Sequence, residues 1–156
     1  MPTVLVGYYI PHQNSNFYVS LDKDQPFDNL EDDITYFESK KKVIIFGDMN
    51  ARTRSFQLDA QQYVIPHISK IQEDMQMYNC SSSDEKDLDQ FGKLLLQMCH
   101  SIILLLANDV SLWPNTIGFT CRKHSGNSVI DYVLLSEGIL DCIHKFSLGE
   151  WTPESD

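Results

Sequence analysis

Basic residues are scarce in this chain: 12 Lys and Arg stand against 22 Asp and Glu, a formal charge of -10 over 156 residues. That balance excludes a protein that holds nucleic acid by its own positive field, because phosphate binding rests on cationic neutralisation. Any phosphate chemistry here therefore needs a metal ion. Cysteine is scarce too. Cys80, Cys99, Cys121 and Cys142 lie far apart without a C-x-x-C pair, which argues against both a zinc site and a dense disulfide framework and for reduced thiols in an intracellular protein. No apolar run approaches the ~20 residues of a membrane span, and "SIILLLA" falls far short of it, so no membrane is expected as a partner. The opening "MPTVLVGYYIP" has neither the basic head nor the cleavage pattern of a signal peptide. Without such a signal the sequon Asn79-Cys80-Ser81 reads as chance. No repeat, low-complexity tract or linker divides the chain.

What remains is a globular composition, 42% hydrophobic and 11% aromatic, enough for one domain with a sizeable core. Thr3 to Ile10 reads as a strand that Pro11 stops, and "PHQNSN" as loop. A helix is expected from Asp24 and Pro26, with Phe27, Leu30, Ile34 and Phe37 at helical spacing and Lys40 to Lys42 closing it. Val43 to Phe46 reads as a strand buried on both faces, leaving its sheet at Gly47. Arg52 to Asn79 shows no clean period. Ser82 with Glu85 resembles a capping box, and Leu88, Phe91, Leu94, Leu95, Met98 and Cys99 share one helical face after it. Strands are expected at Ile102 to Leu106, Phe119 to Cys121, Val129 to Leu135 and Ile143 to Leu148, with "RKHSGNS" as a hairpin-like connection. Alternating strands and helices point to an α/β or α+β layered sandwich.

Two polar constellations interrupt these apolar segments. In "VIIFGDMNART" the strand runs into Asp48 and Asn50, and if extended geometry persists through Met49 the period of two puts the carboxylate and the amide on one side. In "SVIDYVLLS" Asp131 sits in the middle of an apolar strand, where a carboxylate is costly unless it is hydrogen-bonded or paired. Taken singly, each has a plainer reading. Gly-Asp-Met-Asn is common turn chemistry, Asp131 fits a buried structural carboxylate, and Tyr9 fits a core residue.

Together, "GDMNA", "SVIDYVLLS" and the terminal "ESD" resemble, in order, the signatures of the endonuclease/exonuclease/phosphatase superfamily. "YIPHQNSNFY", "PFDNLEDDITYFESKKKVIIFGDMNART", "DQFGKLLLQMCHSIILLLAND" and "GFTCRKHSGNSVIDYVLLS" narrow the resemblance to the endonuclease domains of animal non-LTR retrotransposons, and it covers nearly the whole chain. Arg54 stands where the family has Gly, and His12 where it often has Pro or Asn. The resemblance implies an α/β fold, a layered sandwich of the deoxyribonuclease I-like type. It also implies a domain truncated at both ends, without the N-terminal strands that carry an Asn and a metal-binding Glu and without the His that follows Ser155-Asp156.

The function implied is Mg2+-dependent nicking of DNA, with Mn2+ as a substitute ion, inside the cell and in the nucleus if chromosomal DNA is the substrate. By resemblance, Asp48 would take the proton of the attacking water or orient it, Asn50 would align the water and contact the phosphate, and Tyr9 would hydrogen-bond the phosphate or leaving group. Asp156, with Asp48, would lie near the metal. Asp131 would orient a histidine. His12, His67, His100, His124 and His144 stand in no motif that supplies it, so impaired catalysis is expected of this chain. The competing expectations are another phosphoesterase of the superfamily, acting on a phosphoinositide, a sphingolipid or RNA, and an inactive remnant or interaction domain.

Overall fold

The computed structural model describes residues 2–19, 25–39, 41–53, 88–109, 120–123, 126–136, 139 and 142–144. Among them, four strands form a mixed sheet in the order β1 (Thr3–Tyr9), β2 (Lys42–Asp48), β6 (Asp131–Ser136), β3 (Leu104–Leu106). β2 runs parallel to β1 and antiparallel to β6, and β3 pairs with β6 antiparallel. Two helices, α1 (Gln25–Glu38) and α2 (Gln90–Ser101), lie on one face. β4 (Cys121–Lys123) and β5 (Gly126–Ser128) form a separate antiparallel pair, so the segment expected as a hairpin-like connection itself supplies the paired strands. No helix among the described residues is long and apolar enough to cross a membrane.

Period-two alternation divides the sheet's side chains between two environments. Val43, Ile45, Leu104, Leu106, Tyr132 and Leu134 point to the helices, where Phe27, Leu30 and Ile34 of α1 and Phe91, Leu95, Met98 and Cys99 of α2 cover them. Phe91 takes edge-on contacts from Phe27 and Tyr18, with ring centroids 5.3 and 5.8 Å away. On the opposite face Leu135 packs with Ala107 and Ile139, while Leu5 and Phe46 stay 68% and 48% exposed. β2 is therefore buried on one face, not on both as its apolar run suggested.

Several expected boundaries move. The α2 helix starts later than expected: Leu88 lies outside it, in an isolated bridge to Thr53, and the N-cap is Asp89, whose carboxylate accepts from Gly92 N–H at 2.6 Å. Ser82, Glu85 and, of the segment without a clean period, the residues from Arg54 to Asn79 lie outside the described residues. Lys42 opens β2 instead of closing α1, its N–H donating to Pro2 O. β3 begins only at Leu104, since Ile103 takes a left-handed φ of 56°. Asp131 is the first residue of β6, not a mid-strand residue. Ile143 is in no strand, and residues 145–148 fall outside the description, as do Phe119 and Cys80.

The start of α2 is fitted closely to the segment that follows β2. Asp89 holds Arg52 on both sides, accepting its N–H at the carboxylate (3.1 Å) and donating its own N–H to Arg52 O (3.1 Å). A Cβ on Gly92 would fall on that same Arg52 carbonyl. Gly92→Ala should therefore destabilise the fold by about 1–3 kcal/mol, although helix propensity alone gives a gain of about 1 kcal/mol. Urea denaturation of the two proteins reads the sign directly.

Candidate functional site

The register of β2 with its two neighbours brings three of the expected residues into one row. Asp48 is the partner of Tyr9 on β1 and of Asp131 on β6. Register partners point to the same side of a sheet, here the side away from the helices, which Phe46 and Leu5 share. Tyr9 is 66% exposed there, so the core reading of that residue does not hold. Asp48 and Asp131 are half-buried.

The hydrogen-bond phase decides how close the carboxylates come. Met49 N–H donates to Ile130 O at 2.8 Å, so the rung beyond Asp48 and Asp131 is a hydrogen-bonded one. In an antiparallel ladder the next pair is then not hydrogen-bonded, with Cα atoms about 4.5 Å apart and side chains at their closest approach. Two carboxylates on such a pair repel unless a proton, a donor or a cation stands with them.

Asn50 reaches the site by a different route from the one its spacing suggests. Its φ of 44° is left-handed, so the extended geometry that would have put Asn50 beside Asp48 by a period of two does not reach it. A tight turn does the work instead: Asn50 N–H donates to Asp48 Oδ1 at 2.8 Å, and Asn50 Nδ2 donates to Ile10 O at 2.9 Å. The first bond is an Asx turn and the second ties the amide to a strand end 40 residues away; asparagine is among the few non-glycine residues that take up a positive φ readily. Gly47 does not end the strand. It lies within β2 at φ 151°, and a Cβ there would fall on Tyr8 O, so only glycine lets β1 approach at this point.

Behind the row, Tyr132 ties the loop down from inside the core. Its hydroxyl lies 3.1 Å from Thr53 Oγ1, 3.2 Å from Ala51 O and 3.1 Å from Val129 O. One proton is shared among these neighbours. The hydroxyl thus joins the segment after Asn50 to the approach to β6. Sequence reasoning missed it, because an aromatic residue in an apolar strand carries no sign of its polar partners. Thr120 and Asn108 were missed as well. Thr120 Oγ1 accepts from Ile130 N–H (3.0 Å) and Asp131 N–H (3.1 Å), and Asn108 bonds Asp131 O and Val133 N–H.

Two phenols near the row are raised above the ordinary tyrosine pKa. Burial raises Tyr8 first and the charge of Asp33 adds to it; burial raises Tyr18 first, then Tyr9. Tyr18 also donates to Pro11 O at 2.8 Å, which anchors the chain leaving β1. Asp156 lies outside the described residues. Among the described residues no three His, Cys, Asp or Glu side chains come together as a metal cluster. No protein-family model matches the sequence, and no curated protein matches it.

Two substitutions check this geometry. Tyr132→Phe should lower stability by about 1–3 kcal/mol, since it strands buried partners rather than removing apolar contact; the shift in urea midpoint measures it. Asn50→Ala should be less stable than Asn50→Gly by about 1–2 kcal/mol, because glycine removes the left-handed penalty that alanine retains. Chemical denaturation of this pair separates backbone strain from the lost amide.

Proposed function

We propose that this chain is a phosphodiester hydrolase of the endonuclease/exonuclease/phosphatase kind, a metal-dependent endonuclease that nicks DNA and is related to those of animal non-LTR retrotransposons. The observation that carries the reading is the row of Tyr9, Asp48 and Asp131 on three adjacent strands, with Asn50 locked beside Asp48. A deoxyribonuclease I-like sandwich is the fold this reading asks for. Helices on one face of the sheet and an apolar opposite face are consistent with it.

In-line hydrolysis needs a deprotonated water, neutralised phosphoryl oxygens and a stabilised leaving oxygen. Asp48 would accept the water's proton, its carboxylate oriented by Asn50 N–H. Asn50 would align the water and contact phosphate through its amide, which the bond to Ile10 O holds in one orientation. The exposed Tyr9 phenol would donate to a phosphate or leaving oxygen.

Mg2+, or Mn2+ in its place, is usually held by one or two carboxylates together with waters and substrate phosphate. Asp48 opposite Asp131, a like-charged pair at closest approach, fits that donor set, and Asp156 is the further carboxylate the resemblance supplies. When bound, the ion neutralises charge on the phosphoryl oxygens. The resemblance also gives Asp131 a histidine to orient. None of the five histidines stands in such a motif, so the expected turnover is slow. DNA is the expected partner, with the nucleus the site of action if chromosomal DNA is the substrate.

A second reading is a scaffold without catalysis, favoured by the charge of -10, which opposes a polyanionic substrate. Plasmid nicking separates the two. The nuclease reading expects slow conversion of supercoiled to open-circular DNA that needs Mg2+, stops with EDTA and falls about 100-fold or more in Asp48→Asn. It also expects Mn2+ to broaden the amide signals of residues 48–50 and 131. A chain that neither nicks DNA nor shows this broadening is the scaffold.

A further inference from the structure

β3 ends three residues short of the position opposite Asp131. Its register with β6 runs Leu104 with Ser136, Leu105 with Leu135 and Leu106 with Leu134. The chain then turns into a 3-10 helix at Ala107–Asp109. Had the ladder continued, the same register would have set residue 109 opposite Asp131. The turn takes away main-chain partners that β6 would otherwise have on this edge.

Those partners are required because of the ladder phase. Asp131 forms a non-hydrogen-bonded pair with Asp48, so its N–H and C=O, and those of Val133, point away from β2 toward the side that β3 has left. Buried strand groups cost stability if they stay unmade. One side chain takes over two of them. Asn108, 8% exposed, accepts Val133 N–H at Oδ1 (2.9 Å) and donates from Nδ2 to Asp131 O (3.0 Å). A carboxamide carries the acceptor and donor of a peptide group side by side, so it reproduces the two bonds that a neighbouring strand would have made.

We propose that Asn108 is a positioning residue for the site, whose side chain takes the place of two main-chain bonds of β3 and fixes the main chain of Asp131. The proposal rests on the nuclease reading for its link to catalysis. Its structural part stands apart from that reading, and the test is built to separate them.

The full chain is compared with Asn108→Ala, which removes both bonds, and Asn108→Asp, which keeps the acceptor and the shape but loses the donor to Asp131 O. Ile34→Val, in the α1 core, is the control for general loss of stability. Three readouts are taken: amide hydrogen exchange at Val133, the carboxyl 13C shift of Asp131 with that of Asp33 as reference, and kcat and KM for Mg2+-dependent nicking.

Val133 exchange is expected to rise at least about tenfold in Asn108→Ala and less in Asn108→Asp. The Asp131 carboxyl signal should move in both variants while Asp33 stays in place, and kcat should fall about 10- to 100-fold with KM within about twofold. Ile34→Val should leave the Asp131 signal and kcat alone. If Asn108→Ala does not fold, Asn108→Asp carries the comparison.

An unmoved Asp131 carboxyl signal in Asn108→Asp overturns the proposal whatever the nicking shows, as does an active wild type whose kcat is unchanged in that variant. A wild type that does not nick refutes the nuclease reading alone. In that case a moved Asp131 signal in Asn108→Ala, which adds no charge of its own, still supports Asn108 as the residue that positions it.

Discussion

The site depends on β2 being hydrogen-bonded along both edges, in opposite senses. Its parallel pairing with β1 takes the carbonyl of Asp48, which accepts from Ile10 N–H at 2.9 Å. Its antiparallel pairing with β6 puts the hydrogen bond one rung further on, between Met49 and Ile130. The two phases together leave Asp48 and Asp131 facing each other at a rung with no main-chain bond between them, where side chains come closest. A shift of one residue in the β1 register would send Tyr9 to the helix face, and one in the β6 register would send Asp131 there; either dissolves the row.

Side chains complete what the short strands leave unmade. At the start of β2, Val43 N–H donates to Ser136 Oγ at 2.8 Å, although its register partner's carbonyl is the usual acceptor. At the other end of β6, Thr120 and Asn108 serve Ile130, Asp131 and Val133. Asp89 does the same for Arg52 while it caps α2, and the Tyr132 hydroxyl serves the loop in between. Among the described residues no buried side-chain nitrogen or oxygen lacks a partner. In physical terms this is a polar shell around a short turn: each bond removes a way for the Asp48–Asn50 segment to move, and a satisfied network is stiffer than its separate bonds.

The sheet is covered unequally. α1 and α2 bury one face down to Val43, Ile45 and Leu134 at 0% exposure, whereas Leu5, Phe46 and Tyr9 remain largely open on the other. The polar row thus lies at the end of an apolar surface instead of inside a polar cleft. Leu5 and Tyr9 also belong to β1, which forms one edge of the sheet among the described residues. An apolar face next to a long edge strand favours association, a consequence of the fold whatever chemistry the row performs.

The helices, the two long strands and the polar residues at the end of β2 were legible in the sequence because each is a local pattern. Leu30 and Ile34 recur at helical spacing, Val43 to Phe46 form an apolar run, and Gly47-Asp48-Met49-Asn50 interrupts it. The boundary of α2 was misread because Ser82 with Glu85 forms a better local cap pattern than Asp89, which proves itself only through Gly92 and Arg52. Asn108 and Tyr132 were invisible for a related reason: an Asn after an apolar run and a Tyr inside one look ordinary until their partners, as far as 81 residues away, are known. The sequence by itself determined which residue types could do chemistry and which segments could be buried. Only the tertiary structure decided that Tyr9, Asp48 and Asp131 share a rung, because register is set by long-range pairing and by the phase of main-chain hydrogen bonds, and neither is written in any single segment.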